Sequence, residues 1–289
     1  MSAVPAPGQH AVEVVGHRGA SADAPEHTLA AYEDAVRIGA DAVECDVRMT
    51  RDGVLVCVHD RRIDTTSTGR GVVSELTLRQ LEQHRFGPRV PRRETLPWRP
   101  RSRALRAGLT DEPDRSAAGV LTLHTLLDYV TSTPGDVGLA IETKHPTRYS
   151  GLVEATLVDD LRRFGLVVGG EPRRLPGGRP AVRVMSFSST AMFRMRMLAP
   201  RLPTVQLLQR LPPRPRLDAL LRTNPVIGPG LGVLRRHPEL VARAHAAGTA
   251  VHVWVVNHER DLDFVTGLGV DAVITDRPGA LLSRLGRGG

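Results

Sequence analysis

Short valine-rich apolar runs, set apart by polar and glycine- or proline-marked stretches, give this chain its rhythm. They begin near residues 12, 42, 137, 181, 204, 226, 251 and 272. Between them, apolar positions recur at helical spacing. The first such helix has Pro25 and Thr28 at its start, Leu29, Tyr32 and Val36 on one face, and Gly39 past its end. Others are expected over Leu123–Val130, Leu152–Phe164, Thr190–Leu198, Pro238–Ala247 and Leu262–Leu268. Strand alternating with helix argues for a parallel α/β sheet or barrel, and eight strands are what a (β/α)8 barrel requires.

One apolar run stands outside this count. Val43 to Asp60 holds two valine-rich arms around Asp52-Gly53, a strong hairpin signal, so the second arm must run antiparallel to the first. It reads as a β-hairpin extension after the second strand. Alternation along the first arm sends Glu44 and Asp46 to one face and Cys45 and Val47 to the other. A two-residue turn pairs Arg51 with Val54 and sets His59 opposite Asp46, with Cβ atoms roughly 5 Å apart. In a barrel of this kind, chemistry sits at the carboxyl ends of the strands. His17 ends the first strand, Glu44 and Asp46 the second, Glu142 and Lys144 the third, all at one mouth.

From about residue 61 to 120 the pattern dissolves. Arg61 to Gly71 is polar and turn-rich, Leu76 to His84 suits one short helix, and Arg85 to Ala118 is dense in arginine and proline. This reads as an insertion within a single domain spanning residues 1–289. The run Arg99-Pro100-Arg101-Ser102-Arg103 could serve as a nucleic-acid arm, but no aromatic array accompanies it, so a solvated loop is expected and no nucleic-acid partner.

Composition sharpens the picture. Apolar residues make up 41% of the 289, enough for a sizeable core, and no stretch approaches the 18 or so apolar residues that would span a bilayer. The segment from Met1 to Val15 lacks the basic start and apolar middle of a secretory signal. Cys45 and Cys57 are expected on opposite faces of the hairpin arms, which argues against a bridge; together these features point to a cytoplasmic protein. A net charge of +8 suits anionic ligands, whether phosphate esters or the surface of an anionic membrane. Nearly all the basic residues are arginine, and Lys144 is the only lysine in the sequence.

Glu44, Asp46 and Glu142 offer three carboxylates at one rim, and oxygen-only ligation suits Mg2+ or Ca2+ over zinc. His17 and His59 are the natural proton-transfer pair there, since diester cleavage needs one group to activate the attacking hydroxyl and another to protonate the leaving alkoxide. Arg18 and Lys144 supply positive charge where a phosphate would sit. Neither cysteine shows a nucleophile pattern.

These residues resemble the glycerophosphodiester phosphodiesterase family. The resemblance rests on His17-Arg18-Gly19, Pro25-Glu26 with Thr28, Glu44-Cys45-Asp46-Val47, Asp52-Gly53, His59-Asp60, Ile141-Glu142 with Lys144, Trp254 with Asn257, and Thr275-Asp276 with Pro278. It implies a TIM-barrel hydrolase that splits small-molecule glycerophosphodiesters into sn-glycerol 3-phosphate and an alcohol. It further implies a divalent metal on Glu44, Asp46 and Glu142, acid–base work by His17 and His59, and phosphate binding by Arg18 and Lys144. Glu26 would order the first loop and Trp254 would line the substrate pocket. His27 stands where the family has Asn, Val255 where it has Thr, and Asp64 where it has Arg. Two other readings fit the same residues: a lysophospholipase D-like activity, and a non-catalytic binder of phosphate esters or anionic membranes.

Overall fold

The computed structural model describes residues 11–87 and 119–287. The arginine- and proline-rich tract from 88 to 118, with its Arg99–Arg103 run, lies outside the described residues. Ahead of the tract come β1 (Glu13–His17), α1 (Leu29–Arg37), β2 (Ala42–Met49), β3 (Leu55–Cys57) and α2 (Leu78–Leu81). After it come α3 (Leu123–Ser132), β4 (Gly138–Thr143), α4 (Leu152–Arg163), β5 (Val167–Val168), β6 (Glu171–Pro172), β7 (Val182–Ser186), α5 (Ser189–Leu198), β8 (Thr204–Leu208) and α6 (Arg214–Thr223). The chain closes with β9 (Val226–Pro229), α7 (Leu231–Arg236), α8 (Glu239–Ala246), β10 (Ala250–Val253), α9 (Glu259–Gly267), β11 (Ala272–Thr275) and α10 (Pro278–Arg284).

Eight strands (β1, β2, β4 and β7 to β11) pair in parallel, and β1 closes the ring against both β11 and β2. This is the (β/α)8 barrel expected from the eight apolar runs. The helices begin where the sequence supplies caps. Thr28, Thr122 and Ser188 each accept a hydrogen bond from a first-turn amide of α1, α3 and α5. The pattern of apolar residues did not predict α6, α7, α10 or the small β5–β6 hairpin. At α6 the interleaved Pro213-Arg214-Pro215-Arg216 hides the start of the helix, where proline is tolerated in the first turn.

Alternation along the strands sorts residues between two layers. Outward, Val43, Cys45, Val47, Leu139, Ile141 and Val184 pack under the helices. Inward, Val15, Ala42, Ala140, Met185, Val205, Ala250 and Ile274 fill the barrel's middle. The inward set shares its parity with His17, Glu44, Asp46 and Glu142, so the period that fills the core also aims those polar groups into the mouth.

β3 runs antiparallel along the outer half of β2, with Val47 opposite Cys57 and Met49 opposite Leu55. This differs from the expected register by one residue. The turn holds three residues, Arg51-Asp52-Gly53, closed by Thr50 N donating to Val54 O (2.9 Å) with Gly53 at φ +84°. The Thr50 hydroxyl accepts from Val54 N (2.9 Å), and the Asp52 carboxylate turns outward to accept from Leu78 N (3.0 Å) at the start of α2. The slip has two results. Val58, not His59, lies opposite Asp46, its amide donating to Asp46 O at 3.0 Å. Cys45 and Cys57 share one face in the same buried cluster instead of facing apart, and both are free thiols.

Two glycines with positive φ separate strain from steric exclusion. Gly53 faces open space, so Gly53→Ala is expected to destabilise by about 1 kcal/mol through its backbone alone. A Cβ on Gly19 (φ +86°) would lie 2.5 Å from the Ala31 carbonyl, so Gly19→Ala is expected to lose about 3 kcal/mol or more. Urea unfolding of the two variants checks this; equal losses would contradict the packing of the first loop against α1.

Candidate active site

The mouth of the barrel is assembled from strand ends held in register. His17 pairs with Glu44 across β1 and β2, and Asp46 pairs with Glu142 across β2 and β4. One carboxylate oxygen from each of Glu44, Asp46 and Glu142 lies within 4.8 Å of the others, and all three residues are buried. Lys144, two residues beyond Glu142, places Nζ 2.8 Å from both Asp46 Oδ1 and Glu142 Oε1. Arg18 follows β1 in a left-handed conformation (φ +57°). That turn lets its amide donate to Glu44 Oε2 (3.0 Å) while its guanidinium meets Asp46 Oδ2 (3.1 Å) and Glu26 Oε1 (3.0 Å). Glu26 therefore touches the site through Arg18.

His59 arrives from past the end of β3. The Arg48 guanidinium donates from Nε (2.9 Å) and Nη2 (2.8 Å) to the His59 carbonyl and fixes the chain there. His59 Nδ1 lies 2.9 Å from Asp60 Oδ1, and Asp60 in turn accepts from the Thr65 hydroxyl (2.8 Å). His17 Nδ1 lies 2.6 Å from Asp276 Oδ1. Asp276 is itself held by Ser21 (3.0 Å) and Asn257 Nδ2 (2.7 Å), which fixes the ring's orientation from the opposite side of the barrel seam. Trp254 follows β10 on the rim. Its indole N–H donates to Gly228 O (2.7 Å), and its ring meets Phe187 edge-on with centroids 5.3 Å apart.

The electrostatics divide the three acids. Burial disfavours the Asp46 anion, but Lys144, a hydrogen bond to His27 and Arg18 outweigh it and hold the carboxyl well below the usual range. Burial, with repulsion from Asp46 and Glu142, pushes Glu44 well above that range. Glu142 rises from its ordinary 4.5 to about 7, through burial and the neighbouring Asp46 charge. Burial, reinforced by Arg18 and Lys144 and only partly offset by Asp46, lowers His59 to about 4 and leaves its imidazole neutral at pH 7.

The donor set tests itself against a metal. Three convergent carboxylates offer oxygen alone, and two of them resist ionisation through burial and repulsion from Asp46. Such a set fits a hard divalent cation.

Several neighbours were not singled out from the sequence. His27 was noted only for its type. It is fully buried and lies 3.0 Å from Asp46 Oδ2 through Nε2 and 2.8 Å from the Tyr32 hydroxyl through Nδ1. Burial, against the pull of Asp46, lowers its pKa, so the neutral ring donates to Asp46 and accepts from Tyr32. Its loop has no period to betray it. Asp276 was named only within the Thr275-Asp276 motif; a role at the site was legible in principle, because it directly follows the eighth barrel strand, where strand-end residues carry chemistry.

Comparison with known proteins places this arrangement. The family model described as "Glycerophosphoryl diester phosphodiesterase family" matches residues 17–280. A Mycobacterium tuberculosis protein named "Probable glycerophosphodiester phosphodiesterase 1" is 43% identical over 267 residues, 92% of this chain and 89% of its own. A Bacillus subtilis (strain 168) glycerophosphodiester phosphodiesterase is 33% identical over 91% of this chain and 83% of its own. The fold is shared with an Oleispira antarctica phosphodiesterase solved in complex with the product sn-glycerol-3-phosphate: TM-score 0.72, 22% identity, 95% of this chain and 96% of that one.

Because Glu142 titrates near 7 without a cation and a cation binds the carboxylate form, the two compete for one site. Below pH 7 the proton must leave first, so apparent Mg2+ or Ca2+ affinity is expected to fall roughly tenfold per pH unit. The same raised carboxyl makes chelator-stripped protein lose stability as pH rises from 4.5 to about 7, because there the folded state holds the extra proton. Calorimetric titration with Mg2+ and Ca2+ at pH 6 and 8 checks the affinity; no difference would contradict this electrostatic reading.

Proposed function

The chain belongs to the glycerophosphoryl diester phosphodiesterase family, and from that premise we propose that it hydrolyses glycerophosphodiesters to sn-glycerol 3-phosphate and an alcohol, using a divalent cation held by Glu44, Asp46 and Glu142. The observation that carries this reading is the convergence, at one barrel mouth, of three buried carboxylates, two cationic side chains and two histidines. A bound Mg2+ or Ca2+ would supply positive charge to the phosphoryl oxygens and make the phosphorus more electrophilic.

The chain's own residues do the rest. Arg18 and Lys144 stay protonated, because the carboxylates around them outweigh the effect of burial, and they orient the diester and offset the charge that grows on its equatorial oxygens. His59, neutral at pH 7, accepts a proton from the attacking hydroxyl. As the new P–O bond forms and the bond to the alcohol breaks, His17 gives a proton to the departing alkoxide. Asp276 holds His17 Nδ1 and leaves Nε2 as the nitrogen available for that transfer. With water as nucleophile the products are the phosphate monoester and the alcohol; with the glycerol 2-hydroxyl, a cyclic phosphate comes first and water opens it. Trp254, edge-on to Phe187 at the rim, would line the substrate pocket, and Glu26 holds Arg18 in place. Among the described residues no helix is long and apolar enough to cross a membrane, which is compatible with a small water-borne substrate.

His59→Ala is expected to lower kcat on glycerophosphocholine by roughly 10²- to 10⁴-fold with little change in KM. EDTA is expected to abolish turnover, and Mg2+ or Ca2+ to restore it. Release of sn-glycerol 3-phosphate reads both. Full activity in the variant would remove His59 from proton transfer, and indifference to chelation would remove the cation from the reaction.

A further inference from the structure

Strand pairing alone would carry His59 away from the chemistry. Residues opposite one another across an antiparallel pair share a face. Cys57 therefore shares the helix-packed side with Val47, and Val56 shares the opposite side with Arg48. Continued alternation would send His59 to the side of Cys57. The chain instead leaves β3 after Cys57 and bends at His59 and Asp60. The bend brings the imidazole to where the charges of Asp46, Arg18 and Lys144 act on it. Something outside the strand ladder has to hold that bend.

Arg48 holds it. Nε (2.9 Å) and Nη2 (2.8 Å) both donate to the one carbonyl oxygen of His59, a two-point hold by a planar group. Charged side chains taken partly out of water are usually paired with an opposite charge. Among the described residues no carboxylate bonds this half-buried guanidinium, and both of its bonds end on a backbone oxygen. The ring's rotation is set separately, by Asp60 at Nδ1 and by Thr65 behind Asp60. Arg48 fixes where the residue sits and Asp60 fixes how its ring is turned.

The place of Arg48 on its strand gives the hold its meaning. Successive inward positions of β2 read Glu44, Asp46, Arg48. The first two are carboxylates of the candidate metal centre, and the third carries the base. One strand thus refers the base to the cation, and proton abstraction is sensitive to shifts of about 1 Å between reacting groups.

Resting on the function proposed above, we infer that Arg48 is a positioning residue for that reaction: through its two bonds to the His59 carbonyl it holds the imidazole where it takes the proton of the attacking hydroxyl. Arg48 itself gains and loses no proton. With Nδ1–H donating to Asp60, the lone pair of His59 Nε2 is the one that receives it.

A double-mutant cycle on glycerophosphocholine, with Mg2+ present, tests this. Arg48→Met is expected to lower kcat roughly 10- to 100-fold and to change KM less than about twofold. Arg48→Lys keeps the charge but not the planar fork, and is expected to lose at least about fivefold in kcat. In a His59→Ala background, Arg48→Met is expected to cost less than about twofold, because the group it positions is gone. A loss as large there as in the wild-type background would make Arg48 structural only and overturn the inference. A raised KM at unchanged kcat would overturn it too, by making Arg48 a substrate contact. Wild-type turnover in Arg48→Lys would overturn the two-point hold. The ring Cε1–H NMR signal of His59, identified by its loss in His59→Ala protein, reads the hold without turnover. It is expected to shift in Arg48→Met and Arg48→Lys proteins that keep the wild-type urea midpoint. An unmoved signal in an active hydrolase overturns the hold and leaves the hydrolase reading intact. A moved signal in a wild-type protein that cleaves no glycerophosphodiester overturns the hydrolase reading and leaves the hold standing.

Discussion

Three carboxylates buried together at the end of a barrel cannot all be charged unless positive charge is brought to them, and the mouth of this protein is organised by that requirement. Two cations are supplied, and they are not shared evenly. Asp46 receives Lys144, Arg18 and a hydrogen bond from His27, and its proton is driven off. Arg18 is divided between Asp46 and Glu26. Glu44 accepts from the Arg18 amide and Glu142 shares Lys144 with Asp46, but burial and repulsion from Asp46 outweigh this, and both hold their protons more tightly than free carboxyls do. The deficit is an electrostatic vacancy of the kind a divalent cation fills, and it sits beside Lys144 and Arg18, the two cations that contact Asp46.

The framework that creates this deficit is the ordinary period of a β-strand. Inward positions of β2 read Ala42, Glu44, Asp46, and those of β4 read Ala140, Glu142. The first of each series helps fill the barrel and the later ones reach the mouth. Small residues deep in the barrel leave room for the interior to close, and the register between β2 and β4 then sets Asp46 against Glu142 without any loop having to place them. Loops are needed only for what strands cannot supply. Arg18 uses a left-handed turn, and His59 is pinned by Arg48 after its strand has ended.

That division explains what could be read from the sequence. All eight barrel strands were legible, because parallel strands buried on both faces are continuous apolar runs. The three carboxylates and Lys144 followed from strand ends and parity. The hairpin was recognisable and its register was not: whether an Asp-Gly pair closes a two- or three-residue turn depends on side-chain bonds from Thr50 and Asp52, and Asp52 bonds a helix 26 residues away. That one-residue slip also reversed the expected arrangement of Cys45 and Cys57. His27 and Asp276 were named from the sequence but their roles were not, for a related reason. Each acts through a contact distant in sequence, 19 residues to Asp46 for the first and 259 to His17 for the second, and no local period records such pairs.

The other end of the same barrel serves as an internal control. There Glu13 on β1 meets Arg183 on β7, with Nη1 2.8 Å from Oε2, and Arg179 adds a second guanidinium at 3.3 Å. One carboxylate faces two cations, the reverse of the mouth, where three face two. The nearby His252 is buried and, with Arg183 beside it, falls to about 3 and stays neutral, so it adds no positive charge. An anion so well supplied needs nothing from solution, and the interaction closes the barrel floor as a structural plug. Both ends are polar, buried and built from inward strand positions. What distinguishes the working end is the sign of the imbalance: there carboxylates outnumber cations, which suits the site to a metal ion.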